Sequence, residues 1–133
     1  MTASLLDSLP YARFLDLRTQ INGDELTVVM PFHDRLIGNP MLPALHGGST
    51  AALLEMTAIA QVALIYPRLR LPRPIDVTVS YLRSGRPQDV FARARISRAG
   101  RRVAHVLAEA WQGDAAQPIA SLTANFLLSE DNE

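Results

Sequence analysis

GGSTAALLEMTAIAQVALIY, residues 47–66, is an apolar stretch that we expect to form one long helix. Apolar residues occupy nearly all sides of this helix rather than one face, so other parts of the protein must cover it. The stretch is long enough to span a membrane, but Glu55 lies near its middle, and a carboxylate at the centre of a spanning helix costs roughly 2.5–3.5 kcal/mol. We therefore predict a buried core helix, no association with a membrane, and a cytoplasmic protein.

The segments on both sides of this helix show the alternation and the turn residues that are typical of β-strands. Asn22-Gly23 is a strong hairpin signal, and the last three connections between strands are short enough for hairpins. In chain order, the predicted segments are a short helix at Thr2–Leu9 ended by Pro10, strands at Arg13–Thr19 and Glu25–Met30, a loop at Phe32–Leu45, and, after the long helix and Pro67, strands at Ile75–Arg83, Val90–Arg98, Val103–Gln112 and Pro118–Leu128. This order predicts an α+β fold in which an antiparallel, curved sheet of about six strands is wrapped around the central helix, in a single domain at 1–133.

Composition excludes several classes of protein. The 133 residues include 13 basic residues, all of them Arg, and 13 acidic residues, so the formal net charge is zero, whereas nucleic-acid-binding domains show a basic excess. The chain has no Cys, which excludes disulfides and thiolate nucleophiles, and its three His residues lie far apart in the sequence. We expect no nucleic-acid partner, no metal site and no cofactor.

Two features of the long helix indicate chemistry. Glu55 is an acidic residue among apolar neighbours, where a charge is costly unless it has a partner, and such residues concentrate at functional sites. His46-Gly47-Gly48 opens the helix, where the first backbone N–H groups lack partners within the helix and form a natural site for an oxyanion. The structural alternatives are a carboxylate that faces solvent or pairs with an Arg, and a plain tight turn.

The spacing of these features has a consequence for assembly. Gly47 and Glu55 are eight residues apart, which is about 12 Å along a helix axis, so one substrate carbonyl cannot contact both residues of the same helix. If both act at one site, two helices must lie antiparallel, side by side. A two-fold symmetric homodimer provides this arrangement, with two equivalent sites at its interface.

The segment Asn39-Pro40…Leu45-His46-Gly47-Gly48-Ser49-Thr50…Glu55 resembles the hotdog-fold acyl-CoA thioesterases of the phenylacetic-acid-pathway type. In that family, His-Gly-Gly opens the central helix and an Asp or Glu lies nine residues after the His, as Glu55 does after His46. Asp76–Arg83 is similar to the family's third strand and Gly100-Arg101-Arg102 to its next hairpin. The resemblance extends from Leu5 to Leu128.

The resemblance implies a hotdog fold and a homodimer whose two sheets join edge to edge, with dimers that can pair again into a homotetramer. It also implies hydrolysis of an acyl-CoA thioester to the free acid and CoA. Carried over by position, the Gly47 N–H polarises the thioester carbonyl, His46 orients this loop or the thioester, and Glu55 of the other chain acts as nucleophile or as general base on water. Gly48 and Asn39 are further candidates for substrate binding.

Arg83 and Arg86 flank Ser84-Gly85 at the end of the predicted third strand. Two guanidinium groups at this place can bind the phosphates of CoA through charge-assisted hydrogen bonds. A solvated loop is the structural alternative.

Two positions depart from the family's pattern and keep other functions open. Many members carry an amide side chain six residues before the His, where this chain has Pro40, and members with Glu often have Ser or Thr one helical turn later, where this chain has Ile59. One alternative is therefore a non-catalytic, acyl-CoA-binding or structural hotdog dimer, which Ile59 favours. Another is a hotdog dehydratase or isomerase. The pair Glu55 and Gln61 faintly resembles the pattern of such enzymes, but they carry a His where this chain has Met41. The acyl group is not predicted.

Overall fold

A six-stranded antiparallel sheet and one long helix form the body of the protein, whose computed structural model describes residues 6–67 and 70–129. In chain order, the elements are α1 (Pro10–Phe14), β1 (Arg18–Asn22), β2 (Glu25–Met30), a 3-10 turn (Asp34–Leu36), β3 (Ile37–Asn39), β4 (Ala44–Leu45), α2 (Gly47–Ile65), β5 (Arg73–Tyr81), β6 (Val90–Ala99), β7 (Val103–Trp111) and β8 (Ala120–Leu127). The large sheet has the order β1-β2-β6-β7-β8-β5, and β3 and β4 form a separate two-stranded ladder.

The long helix α2 packs against one face of this sheet and contacts β2, β5, β6, β7 and β8. Most of the buried strand residues of β6, β7 and β8 are small. They are the alanines Ala92, Ala94, Ala104, Ala108, Ala110, Ala120 and Ala124. Small side chains let a helix with apolar residues on nearly every side lie close to the sheet. The predicted α+β hotdog architecture is confirmed.

The helix α2 is also long and apolar enough to cross a membrane, by length and composition alone. It is the core helix, however, and 56 % of its most apolar 18-residue stretch is buried inside the protein. The prediction of a buried core helix at residues 47–66 is therefore confirmed, and the helix ends at Ile65, just before Pro67.

The first predicted strand, Arg13–Thr19, is wrong over 13–17, and only Arg18 and Thr19 belong to β1. The predicted short helix does stop before Pro10, because Leu9 is extended, and Pro10 then begins α1, since its missing N–H is tolerated in the first turn. Residues 6–8 are helical, whereas the rest of the predicted helix at 2–5 lies outside the described residues. Ala12 and Leu15 are both buried at helical spacing, and Asp16 then turns the chain with φ 58° into β1.

The hairpin predicted at Asn22-Gly23 is confirmed, with Asn22 opposite Glu25 and Gly23 at φ 65°. Of the last three connections, those between β6 and β7 and between β7 and β8 are hairpins, but the one between β5 and β6 is not. In this connection, the Gly85 carbonyl accepts from the Leu45 N–H of β4. β5 lies at an edge of the sheet with β8 as its neighbour.

The predicted loop Phe32–Leu45 contains more structure than expected. It holds the 3-10 turn and the short β3–β4 ladder, in which the register shifts between Ile37 and Asn39. Gly38 lies at this irregularity, where a Cβ would come within 2.9 Å of the His46 Cα. The ladder therefore packs directly against the residue that precedes α2.

Candidate functional site

His46 caps the start of α2 and organises the polar groups around it. Its Nδ1 accepts a hydrogen bond from the Gly48 N–H at 2.9 Å, and its carbonyl accepts from the N–H and the hydroxyl of Ser49 at 3.1 and 2.7 Å. Its own N–H donates to the Leu36 carbonyl at 2.7 Å. The groups that a helix terminus leaves unsatisfied are thus largely paired, and the imidazole is held beside the backbone.

Gly47 supplies a backbone donor that remains available. Among the residues that the structure describes, its N–H has no hydrogen-bond partner, whereas its carbonyl accepts from the Tyr81 hydroxyl at 2.9 Å. Both glycines are closely packed, since a Cβ at Gly47 would lie 3.2 Å from the Tyr81 ring and one at Gly48 would lie 2.8 Å from the His46 ring. The positive end of the helix therefore presents one free N–H in a tightly packed setting, which suits an oxyanion.

Glu55 lies about two helical turns beyond Gly47. It is half-buried, and its carboxylate has no hydrogen bond or ion pair within the part of the chain that the structure describes. Gly47, Ala51 and Glu55 follow one another at intervals of four residues, so they share one face of α2, and all three are half-buried. We call this row the 47–51–55 ridge. It carries a free donor at one end and an unpaired carboxylate at the other.

Two adjoining clefts open beside the start of α2, and we refer to them together as the groove. The first, of about 380 Å³, is lined by Gly47, Thr50 and Tyr81 among others. The second, of about 630 Å³, follows the connection between β5 and β6. The residues that line both clefts are Arg83, Ser84, Gly85 and Ile119. The groove therefore extends from Gly47, at the start of α2, along the connection between β5 and β6.

Arg83 and Arg86, the two residues predicted to bind phosphates, both line the groove. The Arg83 guanidinium donates to the Pro118 carbonyl at 2.7 Å, which fixes its position. The backbone of Arg86 is held by the Gln112 amide, at 3.0 Å for its N–H and 2.8 Å for its carbonyl. The Arg86 guanidinium itself has no partner within residues 6–67 and 70–129, so it is available for an anion.

The structure does not bring all candidate residues together in one chain. The side chain of Asn39 accepts from the Met41 N–H at 3.0 Å within its own loop, and Asn39 lines neither cleft of the groove. Glu55 is absent from both clefts as well, as its distance along the helix requires. Ile59, the next residue along the ridge, is buried against the core. The described residues contain no group of three His, Asp or Glu side chains that could hold a metal ion.

Tyr81 is a residue of this region that the sequence does not single out. In the alternation of β5 it is only one more residue on the inner face, after Val77 and Val79. Its contact with Gly47 arises because β5 ends next to the start of α2, 34 residues away in sequence. No local pattern in the sequence could have indicated this pairing.

A scan against models of protein families matches residues 38–127 to the acyl-CoA thioesterase N-terminal domain. The match covers more than half of the chain, and the protein belongs to this family. The resemblance found in the His-Gly-Gly segment and the spacing to Glu55 is thereby confirmed, and so is a thioesterase type of enzyme. A comparison with curated proteins finds no match.

Solved structures share the fold over nearly the whole chain. A protein from Chromobacterium violaceum is 36 % identical, with a TM-score of 0.78 over 99 % of this chain and 91 % of that one. A Shewanella oneidensis protein related to the thioesterase superfamily is 28 % identical, with a TM-score of 0.79 over 94 % and 91 %. A phenylacetic acid degradation-related protein from Ralstonia eutropha JMP134 is 22 % identical, with a TM-score of 0.77 over 95 % and 98 %. At that last identity, the likeness concerns the fold alone.

Proposed function

We propose that this protein hydrolyses an acyl-CoA thioester to the free acid and CoA, at a site formed by two copies of the chain. The observation that carries this proposal is the 47–51–55 ridge, on which the free Gly47 N–H and the unpaired Glu55 carboxylate share one face of α2. The two groups have complementary roles in acyl transfer, as an oxyanion donor and as an acid–base or nucleophilic group. A single chain holds them too far apart to act on one carbonyl.

A two-fold axis beside Ala51 removes this difficulty. Gly47 and Glu55 lie four residues on either side of Ala51, so two antiparallel helices related by such an axis oppose Gly47 of one chain to Glu55 of the other. The small side chain of Ala51 allows the helices to approach closely. We propose this homodimer, and the further pairing into a homotetramer stays a prediction.

The β5 edge of the sheet, which is opposite the β1 edge, supports the same assembly. β5 pairs with β8 on one side only, and the residues Ile75 and Tyr81 near its ends are 56 % and 57 % exposed in the single chain. An unpaired edge strand is a template for a second strand, and two β5 strands can join the sheets of two copies edge to edge. That arrangement puts both α2 helices on the same face of the joined sheet.

In the proposed reaction, the thioester carbonyl oxygen accepts a hydrogen bond from the Gly47 N–H. Glu55 of the partner chain either takes a proton from water, which attacks the carbonyl carbon, or attacks that carbon itself. The C–S bond then breaks, and the CoA thiolate leaves and is protonated. Attack by water releases the free acid directly, whereas attack by Glu55 leaves a mixed anhydride on its side chain, which a water molecule then hydrolyses to the free acid and the restored carboxylate. His46 accepts through Nδ1, so its neutral ring carries the proton on Nε2, where it can donate to the substrate.

We propose that the groove holds CoA. Arg83 and Arg86 are its cationic residues near the surface, and guanidinium groups bind phosphates through paired, charge-assisted hydrogen bonds. Gly48 is exposed beside His46, and its contact with the thioester arm stays a prediction. A contact of Asn39 with the substrate stays a prediction, and so does the cytoplasmic location.

The test is release of CoA from a panel of acyl-CoA thioesters. We expect Glu55→Gln to lower kcat by about a hundredfold or more, because an acid–base or nucleophilic group is lost while size and fold are kept. The matched control is Glu109→Gln, which changes an exposed carboxylate on the outer face of β7 and leaves kcat unchanged. Equal rates for wild type and Glu55→Gln would contradict the role of Glu55.

The same panel distinguishes the other candidate functions. Tight binding without turnover would favour a non-catalytic dimer, which the buried Ile59 supports, since it stands where members with Glu often carry Ser or Thr. Loss of water from a 3-hydroxyacyl thioester would indicate a dehydratase. The observed role of Gln61 speaks against that reading, because both polar atoms of its side chain hydrogen-bond to backbone groups of β2 and the preceding turn.

A further inference from the structure

The peptide group between Gly47 and Gly48 is held at both ends by side chains. Its carbonyl accepts from the Tyr81 hydroxyl at 2.9 Å, and its N–H donates to the His46 Nδ1 at 2.9 Å. The preceding carbonyl, that of His46, is held by Ser49. Two peptide groups flank the Gly47 Cα, and the first of them carries the free N–H. Both peptide groups are therefore held by hydrogen bonds.

This restraint matters because two consecutive glycines lack a Cβ and populate a wider range of backbone dihedrals than other residues. An oxyanion donor acts only when its N–H points at the place where charge develops, and a displacement of about 1 Å can cost about a hundredfold in rate. Within α2 the Gly47 carbonyl also accepts from the Ala51 N–H, so the Tyr81 hydroxyl is a second donor, which comes from the sheet rather than from the helix.

The position of Tyr81 does not follow from burial. The residue is 57 % exposed, and it ends the edge strand β5. Its ring nevertheless lies so close to Gly47 that a Cβ there would come within 3.2–3.3 Å of three ring and hydroxyl atoms. A largely exposed tyrosine that bonds to the first residue of the helix contributes more to the geometry of this segment than to the core.

We propose that Tyr81 is a positioning residue for the Gly47 N–H: its hydroxyl and ring hold the first turn of α2 in the orientation that binds the thioester oxyanion. The inference rests on the proposed function, because it assigns Tyr81 a part in that reaction. It also links the site to the sheet edge, since Tyr81 belongs to the strand that the proposed dimer uses.

The kinetic test is Tyr81→Phe, which removes the hydroxyl and keeps the ring against Gly47. We expect kcat for the acyl-CoA substrate to fall about tenfold while KM changes by less than about twofold, because the donor acts on the transition state rather than on the bound ground state. The matched control is Tyr66→Phe, at the other end of α2, which we expect to leave both constants unchanged. Unchanged kcat in Tyr81→Phe, or a raised KM with unchanged kcat, would overturn the inference.

A second measurement does not depend on activity. Hydrogen exchange of the Gly47 and Gly48 amides, followed by NMR in the free protein, reports how tightly this peptide is held. We expect faster exchange at Gly48 in Tyr81→Phe than in wild type and in Tyr66→Phe. Unchanged exchange would overturn the inference whatever happens to kcat. If wild type hydrolyses no acyl-CoA, the proposed function fails by itself, and this measurement alone decides whether Tyr81 holds the helix start.

Discussion

Glu55 is a carboxylate that lacks a partner among the described residues of its own chain. Its half-buried position leaves it part of its hydration, so the fold tolerates it without an ion pair. A structural carboxylate in this setting would gain from an Arg neighbour, yet Arg86 lines the second cleft of the groove, which Glu55 does not line. At the scale of the residue, the Glu55 carboxylate and the Arg86 guanidinium are therefore separate charges.

Asp16 shows how one ion pair supports a strained turn. It adopts φ 58°, a left-handed conformation that Asp tolerates better than most residues, and it connects α1 to β1. The Arg18 guanidinium donates to its Oδ2 at 3.0 Å, and His33 Nε2 lies 3.7 Å from the same atom. The hydrogen bond from Arg18 lowers the pKa of the Asp16 carboxyl below its ordinary value.

A pH dependence follows with a defined sign. Because the folded pKa of Asp16 is lowered, its stabilising contribution is present above the unfolded pKa of about 3.9 and is lost as the pH falls through the folded pKa. We expect Arg18→Gln to raise the pKa of Asp16 towards the ordinary value, as measured by NMR titration of the carboxyl carbon. Arg98→Gln, far from this turn, should leave the titration unchanged, and identical titrations in wild type and Arg18→Gln would contradict the assignment.

At the scale of the element, Gln61 joins the helix to the first hairpin. Its Oε1 accepts from the Leu26 N–H at 3.1 Å and its Nε2 donates to the Asp24 carbonyl at 2.8 Å, although the residue is only 5 % exposed. The single buried amide therefore satisfies two backbone groups of β2 and its turn. These two hydrogen bonds, which we call the Gln61 clamp, hold the first hairpin against α2.

Gln61→Leu tests this clamp. We expect it to lower the free energy of unfolding by about 1–3 kcal/mol, because buried backbone groups lose their partners, and urea denaturation measures the change. The control is Gln20→Leu, at an exposed position of β1, for which we expect a change within about 0.5 kcal/mol. A Gln61→Leu variant as stable as wild type would show that water or the backbone replaces the clamp.

At the scale of the whole molecule, the fold leaves two surfaces next to each other without a partner: the edge of β5 and the 47–51–55 ridge. A dimer joined at β5 covers both at once. In such a dimer, Glu55 of one chain would lie at the groove of the other chain, whose own Glu55 is too far from it. The function and the assembly are therefore one hypothesis, and a stable, active monomer would contradict both.

The absence of cysteine allows a direct test of the proposed axis. We expect Ala51→Cys to give a covalent dimer with a short bismaleimide cross-linker, because a residue at a two-fold axis lies next to its own copy. Arg101→Cys, in the exposed β6–β7 turn, is the control and should remain uncross-linked. Sedimentation as a 14.6 kDa monomer at micromolar concentration, or cross-linking of the control alone, would contradict this axis.

Much of this protein could be predicted from local sequence. The helix at 47–65, the strand pattern after it and the hairpin at Asn22-Gly23 depend on periodicity and turn residues, which act within a few positions of the chain. The nine-residue interval from His46 to Glu55 is local as well, and it indicated the family before any contact was known. These features are short-range properties that the sequence alone determines.

Tertiary structure decided the rest, because it depends on contacts between distant segments. Arg13–Thr19 has the alternation of a strand, but Pro10 and the burial of Ala12 and Leu15 make its start helical. β5 pairs with β8, which is distant in sequence, rather than with β6, the next strand, and this pairing places β5 at an edge of the sheet. The Tyr81–Gly47 hydrogen bond spans 34 residues, and no local pattern encodes it. The free edge and the restrained donor are thus properties of the packed sheet and helix, not of any one segment.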